Sequence, residues 1–178
     1  VDPLGGSYLV ETLTNEIEER IWELMKVIEG KGGFIRCFKD GWVEEQLNEA
    51  RYRMADAIEQ MRAVTLAKVQ GYAVGGGIVI MAACDLRVVA EDAVLSIPEI
   101  DLGIPLAWGG IPRLVREIGP AMTKELVMTC RPFGPREAQA MGFVNRVVPA
   151  SRLDAEVEAL AAEIAAKPSV PITITKEH

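Results

Sequence analysis

The spacing of apolar residues divides the chain into helical and strand-like segments. In the first third, apolar residues recur every three or four positions, as on one face of an α-helix. They are Leu13, Ile17, Ile21, Leu24 and Ile28. The spacing predicts a helix over residues 14–29, with Thr14 as its N-cap, and a second helix over residues 43–61. Residues 7–11 and 34–38, rich in aromatic and β-branched types, are expected to form short strands.

From about position 62 the pattern changes, because residues 63–84 contain a single charged side chain, Lys68. Short apolar runs bounded by turn residues predict buried strands. These runs are residues 64–70, 86–90, 93–97 and 143–149. Helical spacing between them predicts the remaining helices. These cover residues 75–85, 113–119, 121–130, 136–142 and 151–166. Alternating strands and helices predict an α/β fold.

Length and charge narrow the possible functions. The 178 residues suffice for one domain or two small ones, and the formal net charge of −7 argues against nucleic acid or an anionic membrane as the main partner. No apolar run reaches the roughly 18 residues of a membrane span, and the N-terminus lacks the features of a signal peptide. We therefore expect a cytoplasmic protein that binds neither nucleic acid nor membrane.

Cysteine and histidine usage excludes further classes of site. The three cysteines are far apart and have no metal-binding spacing, which is typical of a reducing compartment. The only histidine is His178, the last residue. A histidine-based catalytic triad and a histidine-ligated metal site are therefore not expected.

Three consecutive glycines lie between a predicted strand and a predicted helix. A helix N-terminus offers free N–H groups, and glycine allows a ligand oxygen to approach them closely. Gly75, Gly76 and Gly77 are therefore candidates for an oxyanion or anion site built from backbone alone. They match neither a dinucleotide-binding nor a phosphate-loop motif. The alternative is that these glycines only permit close packing of the helix on the strand.

An oxyanion site needs a group that moves protons, and the first candidate after the glycines is Glu99. It follows a predicted strand, precedes a glycine-rich loop and has apolar neighbours, which suits a general acid or base. Alternatively, Glu99 is a solvated loop residue or a helix cap. Asp85 is expected to cap the turn after the short helix.

The second part of the chain carries several ordered motifs, namely GYAVGGG, CDLRVV, PEIDLGI, WGG and MGFVNRVVP. With these motifs, residues 63–178 closely resemble the enoyl-CoA hydratase/isomerase family, the crotonases. The resemblance implies a partial crotonase-like spiral of right-handed ββα turns, corresponding to the latter half of the family fold without its last helices. It implies an acyl-CoA thioester as partner and no cofactor, coenzyme A being part of the substrate.

The resemblance also assigns roles to the candidate residues. It implies that the N–H of Gly76 holds the thioester oxygen while an enolate forms, with Glu99 as the other catalytic residue. The implied substrate contacts are Gly75, Gly77, Tyr72, Ala73 and Trp108. For Trp108, a wall of the acyl pocket and a plain packing role both stay open.

Hydratases of this family use two glutamates, and this sequence has one of them. The first family position is Val79 here, and the second is Glu99. A hydratase must activate water as well as move a proton, whereas an isomerase needs one base that shuttles a proton along the acyl chain. The residues therefore favour isomerase-like chemistry.

The first 60 residues have a different resemblance. The motif DPLGGSY, followed by a glycine pair and ARYR, is similar to a segment of acyl-CoA mutases of the methylmalonyl-CoA mutase type, from their (β/α) barrel. We therefore predict an apparent chimera of a mutase-like helical segment, residues 1–61, and a crotonase-like segment, residues 62–178. The helix predicted over residues 43–61 is expected to stand in for the family helix that precedes the first crotonase strand.

Two functions from different classes follow. One is a crotonase-type acyl-CoA enzyme, and the other is a catalytically inactive fusion of two enzyme fragments that folds and oligomerises without turnover. The family resemblance implies a homo-oligomer, a trimer or a dimer of trimers.

Overall fold

The computed structural model describes residues 8–177, with side chains from residue 11 onwards. Contacts divide the chain into a first unit that ends at Leu47 and a second unit that begins at Asn48. His178 and Ser7 lie outside the described residues.

Helices and strands alternate over most of the described chain. The helices are α1 (Tyr8–Gly30), α2 (Phe34–Lys39), α3 (Trp42–Glu59), α4 (Gly76–Ala83), α5 (Gly110–Thr129), α6 (Pro135–Ala140), α7 (Leu153–Ala165) and α8 (Ser169–Glu177). The strands are β1 (Leu66–Val69), β2 (Tyr72–Val74), β3 (Leu86–Ala90), β4 (Val94–Ser96) and β5 (Arg146–Val148). A short 3₁₀ helix, Ala150–Arg152, precedes α7.

The described part of the first unit is helical, and the two strands predicted there are wrong. The helical spacing that begins at Leu13 continues toward the N-terminus, so α1 includes residues 8–11 and Thr14 lies inside the helix rather than at its N-cap. In α2 the aromatic rings of Phe34 and Phe38 lie one turn apart, with centroids separated by 6.3 Å. This pairing and the burial of Cys37 suit a helix better than a strand.

The second unit contains two parallel sheets whose strands alternate along the chain. One sheet has the order β1-β3-β5 and the other pairs β2 with β4. In register, Leu66 lies opposite Leu86, and Tyr72 lies opposite Val94. Each ββα turn therefore adds one strand to each sheet, first β1, β2 and α4, then β3, β4 and α5. This arrangement confirms the predicted α/β fold with ββα turns.

Helix α4 lies in the middle of the core of the second unit. Its side chains Ile78 and Val79 are fully buried, and they share one apolar cluster with residues of β2, β4 and α5. The buried Arg87 donates to the carbonyl oxygens of Met81 and Cys84, both at 3.0 Å, and forms an ion pair with Glu117 at 2.6 Å. This arginine satisfies carbonyl groups at the C-terminal end of α4 and fixes it to α5.

Asp85 connects Thr65, the residue before β1, to α8. Its Oδ2 accepts hydrogen bonds from the backbone N of Thr65 at 2.7 Å, from the Thr65 hydroxyl at 2.8 Å, and from Lys176. Lys176 also donates to the carbonyl of Ala63 at 3.1 Å. The predicted cap of the turn after α4 is therefore wrong, because this carboxylate binds Thr65 and a distant helix instead.

No helix in the described part of the chain combines the length and the apolar character needed to cross a membrane.

Candidate functional site

The glycine loop joins β2 to α4 and holds free backbone donors. Gly75 has a positive φ of 52°, and its N–H donates to the carbonyl of Ser96 at 2.9 Å, which fixes the loop to the end of β4. The Gly75 carbonyl accepts from Ile78 at 2.9 Å, at the start of the helix. Among the described residues, none accepts a hydrogen bond from the N–H groups of Gly76 and Gly77. Two donors at a helix N-terminus are thus available to a ligand.

Glu99 lies against this loop. A tight turn positions it, since its carbonyl accepts from the N–H groups of Leu102 at 3.1 Å and Ile104 at 3.0 Å. A Cβ atom on Gly75 would overlap Glu99 Oε1 and lie 3.1 Å from its Cδ. The other carboxyl oxygen, Oε2, is buried and has no hydrogen-bond partner among the described residues. The carboxyl group therefore retains hydrogen-bonding capacity beside the free donors of the loop.

The indole of Trp108 covers the next glycine. A Cβ atom on Gly76 would overlap the ring atoms Cζ3 and Cη2 of Trp108 and lie 3.1 Å from Cε3. Only glycine allows this approach of ring to backbone. Trp108 also has a left-handed backbone, with φ 59°, which is unusual for a bulky residue and often marks a functional site.

The other predicted contacts divide into buried and exposed ones. Ala73 is buried, and its Cβ would lie 3.7 Å from a Cβ atom on Gly77, an ordinary van der Waals distance. Tyr72, which precedes Ala73 in β2, is 79% exposed. The glycine loop, Ala73, Glu99 and Trp108 thus lie together, whereas the ring of Tyr72 extends into solvent.

Val79 occupies an apolar position next to the site. Its side chain is fully buried, and it lies with Leu106 beside Gly110, where a Cβ atom would be 2.8 Å from Val79 and 3.0 Å from Leu106. Apolar side chains therefore surround this position, and Glu99 is the acid that contacts the loop.

Two side chains of α3 hold the indole of Trp108. The ring N–H donates to Asn48 Oδ1 at 3.2 Å, and the guanidinium of Arg51 lies 4.8 Å from the ring centroid. Both contacts lie within the second unit. Sequence reasoning did not find them, because 60 positions separate Asn48 from Trp108 and nothing local indicates the pairing.

Arg113 fixes the backbone of Trp108 to the same helix. Its side chain is 6% exposed, and it donates to the Trp108 carbonyl at 2.7 Å and to Glu59 at 3.0 Å, while also pairing with Asp56. Burial raises the pKa of Glu59, but hydrogen bonds from Arg116 and Arg113 outweigh it, so the pKa lies below the usual value. Glu59 is therefore ionised at neutral pH and pairs with arginine.

The described residues also bear on two other kinds of site, a reactive thiol and a metal centre. Burial raises the pKa of the Cys84 thiol, which keeps it protonated and poorly nucleophilic at neutral pH. Within the described residues, no group of three or more His, Cys, Asp or Glu side chains is arranged to hold a metal ion. The arrangement thus offers backbone donors, one carboxyl group and an aromatic wall.

Family models match the two parts of the chain. Residues 39–178 match the model described as enoyl-CoA hydratase/isomerase. Residues 1–73 match the model described as methylmalonyl-CoA mutase. The two matches overlap over α3 and β1, and the junction predicted near Met61 lies in this overlap. The two resemblances seen in the sequence are confirmed, whereas the barrel character of the first segment stays a prediction.

Individual relatives include both hydratases and isomerases. Crotonyl-CoA hydratase of Syntrophomonas wolfei is 38% identical over 119 residues, covering 67% of this chain and 46% of the relative. The peroxisomal Delta(3,5)-Delta(2,4)-dienoyl-CoA isomerase of Arabidopsis thaliana is 40% identical over 121 residues, covering 67% of this chain and 44% of the relative. The chain spans about half the length of these curated relatives.

Solved structures share the fold. Enoyl-CoA hydratase from Bacillus anthracis superposes with a TM-score of 0.72 at 34% identity, over 75% of this chain and 53% of that chain. A complex with CoA of a Thermobifida fusca YX protein described as an enoyl-CoA hydratase gives a TM-score of 0.72 at 30% identity, over 78% and 54% of the two chains. With the family-model match over most of its length, this chain belongs to the enoyl-CoA hydratase/isomerase family.

Proposed function

We propose that this chain binds an acyl-CoA thioester and stabilises its enolate, with Gly76 and Glu99 as the catalytic residues. The observation that carries the proposal is the contact of the Glu99 carboxyl group with Gly75, directly beside the free N–H of Gly76. Gly75, Gly77, Ala73 and the indole of Trp108 would line the thioester site. Tyr72 would contact a part of the substrate that extends into solvent. No cofactor is needed, because coenzyme A is part of the substrate.

The proposed chemistry is a proton transfer along the acyl chain. Glu99 removes a proton from Cα of a 3-enoyl thioester, and the electron pair moves into the dienolate, whose oxygen accepts the N–H of Gly76. The protonated Glu99 then returns the proton at Cγ, and the double bond moves into conjugation with the thioester. A backbone donor at the oxyanion contributes about 3–4 kcal/mol to such a step.

The surroundings of Val79 support isomerase-like chemistry over hydration. Hydration needs a second polar group that activates water, and the fully buried Val79 offers none. Among named relatives, one is a hydratase and another a dienoyl-CoA isomerase at similar identity. Acyl-CoA as the substrate class is further supported by the CoA complex of the Thermobifida fusca YX protein.

Binding is tested with Gly76→Ala and its matched control Gly134→Ala, which lies outside the proposed site. A methyl group at position 76 would meet the indole and crowd the N–H, whereas at position 134, where the backbone is extended, it meets no atom within 4 Å. In a calorimetric titration with crotonyl-CoA, we expect Gly76→Ala to weaken binding about tenfold or more and Gly134→Ala to bind within about twofold of the unmodified chain. Equal affinities in both variants would remove Gly76 from the proposed site.

Catalysis is tested with Glu99→Gln. We expect the unmodified chain to exchange the acyl Cα proton of a short 3-enoyl-CoA with deuterium from D2O and to form the 2-enoyl product. Mass spectrometry measures both the deuterium uptake and the product. The amide cannot accept the proton, so Glu99→Gln should slow exchange about 10²–10⁴-fold. Undiminished exchange in Glu99→Gln would assign the proton transfer to another group.

A second candidate function is a catalytically inactive fusion. It is favoured by the apolar, fully buried Val79, which leaves Glu99 without a second carboxylate, and by the match of residues 1–73 to a different family. A folded chain that binds crotonyl-CoA but does not exchange the Cα proton of the 3-enoyl-CoA would support a binding module, and one that does not bind crotonyl-CoA would support a fusion without a working site.

The proposal includes a homo-oligomer, a trimer or a dimer of trimers as the family resemblance implies, in the cytoplasm. Light scattering after size-exclusion chromatography measures the assembly, and a monomer at all concentrations would contradict it.

A further inference from the structure

We propose that Asn48 of α3 is a positioning residue for the acyl-CoA site, acting through Trp108. This inference rests on the proposed function. It makes α3, which lies in the overlap of the two family matches, part of the thioester site rather than an adjoining segment.

The hydrogen bond between Trp108 and Asn48 defines the orientation of the indole. The indole Nε1 is only a donor, so the atom it contacts at 3.2 Å is the carbonyl oxygen of the Asn48 amide. Asn48 is half-buried, and the same helix is fixed to Trp108 through Arg113, which pairs with Asp56 and Glu59 and donates to the Trp108 carbonyl. The bond therefore selects one rotation of the indole among those that the side chain would otherwise sample.

The selected orientation places the ring edge on Gly76. Ring atoms Cζ3 and Cη2 occupy the space where any other residue at position 76 would have its Cβ. A thioester oxygen bound to the Gly76 N–H has this ring as its immediate neighbour. A ring fixed there before binding forms a ready wall for the substrate, whereas a loose ring must be ordered when the substrate binds.

The backbone of Trp108 needs support from the same helix. Its left-handed conformation, φ 59°, is unfavourable for a large side chain and persists only where surrounding contacts impose it. Arg113 supplies one such contact, donating to the Trp108 carbonyl at 2.7 Å while it pairs with Asp56 and Glu59 of α3. Arg51 adds a cation–π contact with the ring, 4.8 Å from the centroid. Helix α3 thus holds both the backbone and the ring of Trp108.

The experiment uses the full chain with Trp108 as its only tryptophan. Trp22→Phe and Trp42→Phe remove the other two, which lie on α1 and α3 in the first unit. Asn48→Leu then removes the hydrogen-bond acceptor at similar size, and Asn48→Asp keeps an acceptor at the same position. Circular dichroism and urea unfolding confirm that each variant folds.

The first readout follows the indole without any ligand. We expect Asn48→Leu to shift the Trp108 emission to the red and to increase its quenching by acrylamide, because the released ring becomes more accessible. Asn48→Asp should resemble the parent chain. Unchanged emission and quenching in Asn48→Leu would overturn the inference, because the ring would then be held without Asn48.

The second readout is the affinity for crotonyl-CoA at a salt concentration that screens the charge added by Asn48→Asp. We expect Asn48→Leu to bind about two- to tenfold more weakly, the change that corresponds to one ordinary hydrogen bond, and Asn48→Asp to bind within about twofold of the parent. A released indole with unchanged affinity would make Asn48 structural only and overturn the positioning role. If the parent chain does not bind crotonyl-CoA, the proposed function fails, and the positioning role falls with it.

Discussion

At the scale of single residues, Asp85 is a carboxylate that accepts three hydrogen bonds. Burial raises its pKa, but hydrogen bonds from Lys176 and from the backbone and hydroxyl of Thr65 outweigh this effect, so the pKa lies below its usual value. The side chain is 27% exposed and its partner Lys176 only 10%. The charged form of Asp85 is therefore a source of stability that depends on pH.

We expect Asp85→Asn to lower the free energy of unfolding by about 1–3 kcal/mol at neutral pH, as for a lost hydrogen bond to a charged group. Because the folded pKa is lowered, the contribution is complete above the unfolded pKa of about 3.9 and is lost as pH falls through the folded value. Urea unfolding of both chains from pH 7 to pH 3 measures the difference. A difference that stays constant below pH 4 would contradict this linkage.

Residues of the candidate site differ in how far the sequence predicts them. Gly76 and Glu99 are recognisable because a glycine run and a following acid are local patterns, and the structure places Glu99 against the loop. Asn48 and Arg113 escape prediction because they act through distant partners, Asn48 on a side chain 60 positions away and Arg113 on acids more than 50 positions away. Side-chain pairs at such separation leave no periodic signal in one sequence.

At the scale of elements, α3 and α5 are joined mainly by arginine and acid pairs. Arg113 is nearly inaccessible and pairs with Asp56 and Glu59, which are 35% and 34% exposed. Arg116, one turn further along α5, also pairs with Glu59 but is 55% exposed. The two arginines thus share a partner and differ in burial.

This difference predicts unequal effects of the same substitution. Arg113→Met should lower the free energy of unfolding by about 2–4 kcal/mol, because it leaves Asp56 and the Trp108 carbonyl without this donor and Glu59 with Arg116 alone. Arg116→Met should lower it by less than about 1 kcal/mol, as for exposed pairs. Chemical unfolding of both variants compares them, and equal losses would show that burial of Arg113 adds nothing.

Elements with a clear apolar pattern agree with their predicted ranges, whereas α2, whose pattern is ambiguous, does not. The strands β1, β3, β4 and β5 and the helix α7 fall within their predicted ranges, because buried apolar runs and an amphipathic face are clear patterns. The strand predicted at α2 is wrong, because a segment of six residues fits either period and its two phenylalanines and Ile35 are types enriched in strands. Within α5 the backbone of Gly119 is not helical, with φ 75° and ψ 165°, so two helical segments meet there, as the predicted helices over residues 113–119 and 121–130 imply.

At the scale of the whole molecule, the two units differ in how much they bury. Of the side chains described in residues 11–47, only Cys37 is buried, whereas the second unit has an extended apolar core. On α1 the apolar residues Ile17, Ile21 and Leu24 are each more than half exposed. Regions with few buried apolar contacts open at low free energy.

We therefore expect hydrogen exchange to reach α1 well before α4 and β3. Mass spectrometry of peptides after exchange in D2O, under conditions that keep the chain folded, measures the order. Protection of α1 equal to that of β3 would contradict the expectation and would indicate that another surface covers the apolar face of this helix.

The parallel pairing of β1, β3 and β5 has a consequence for the newly made chain. Val88 of the middle strand β3 pairs with Lys68 of β1 and with Arg146 of β5. The second of these partners is synthesised 58 positions after Val88. Helices α1 and α2 need only local contacts and are free to form as soon as they leave the ribosome. Translation therefore leaves one edge of the apolar strand β3 unpaired until residue 148 has emerged, an interval during which chaperones have access to it.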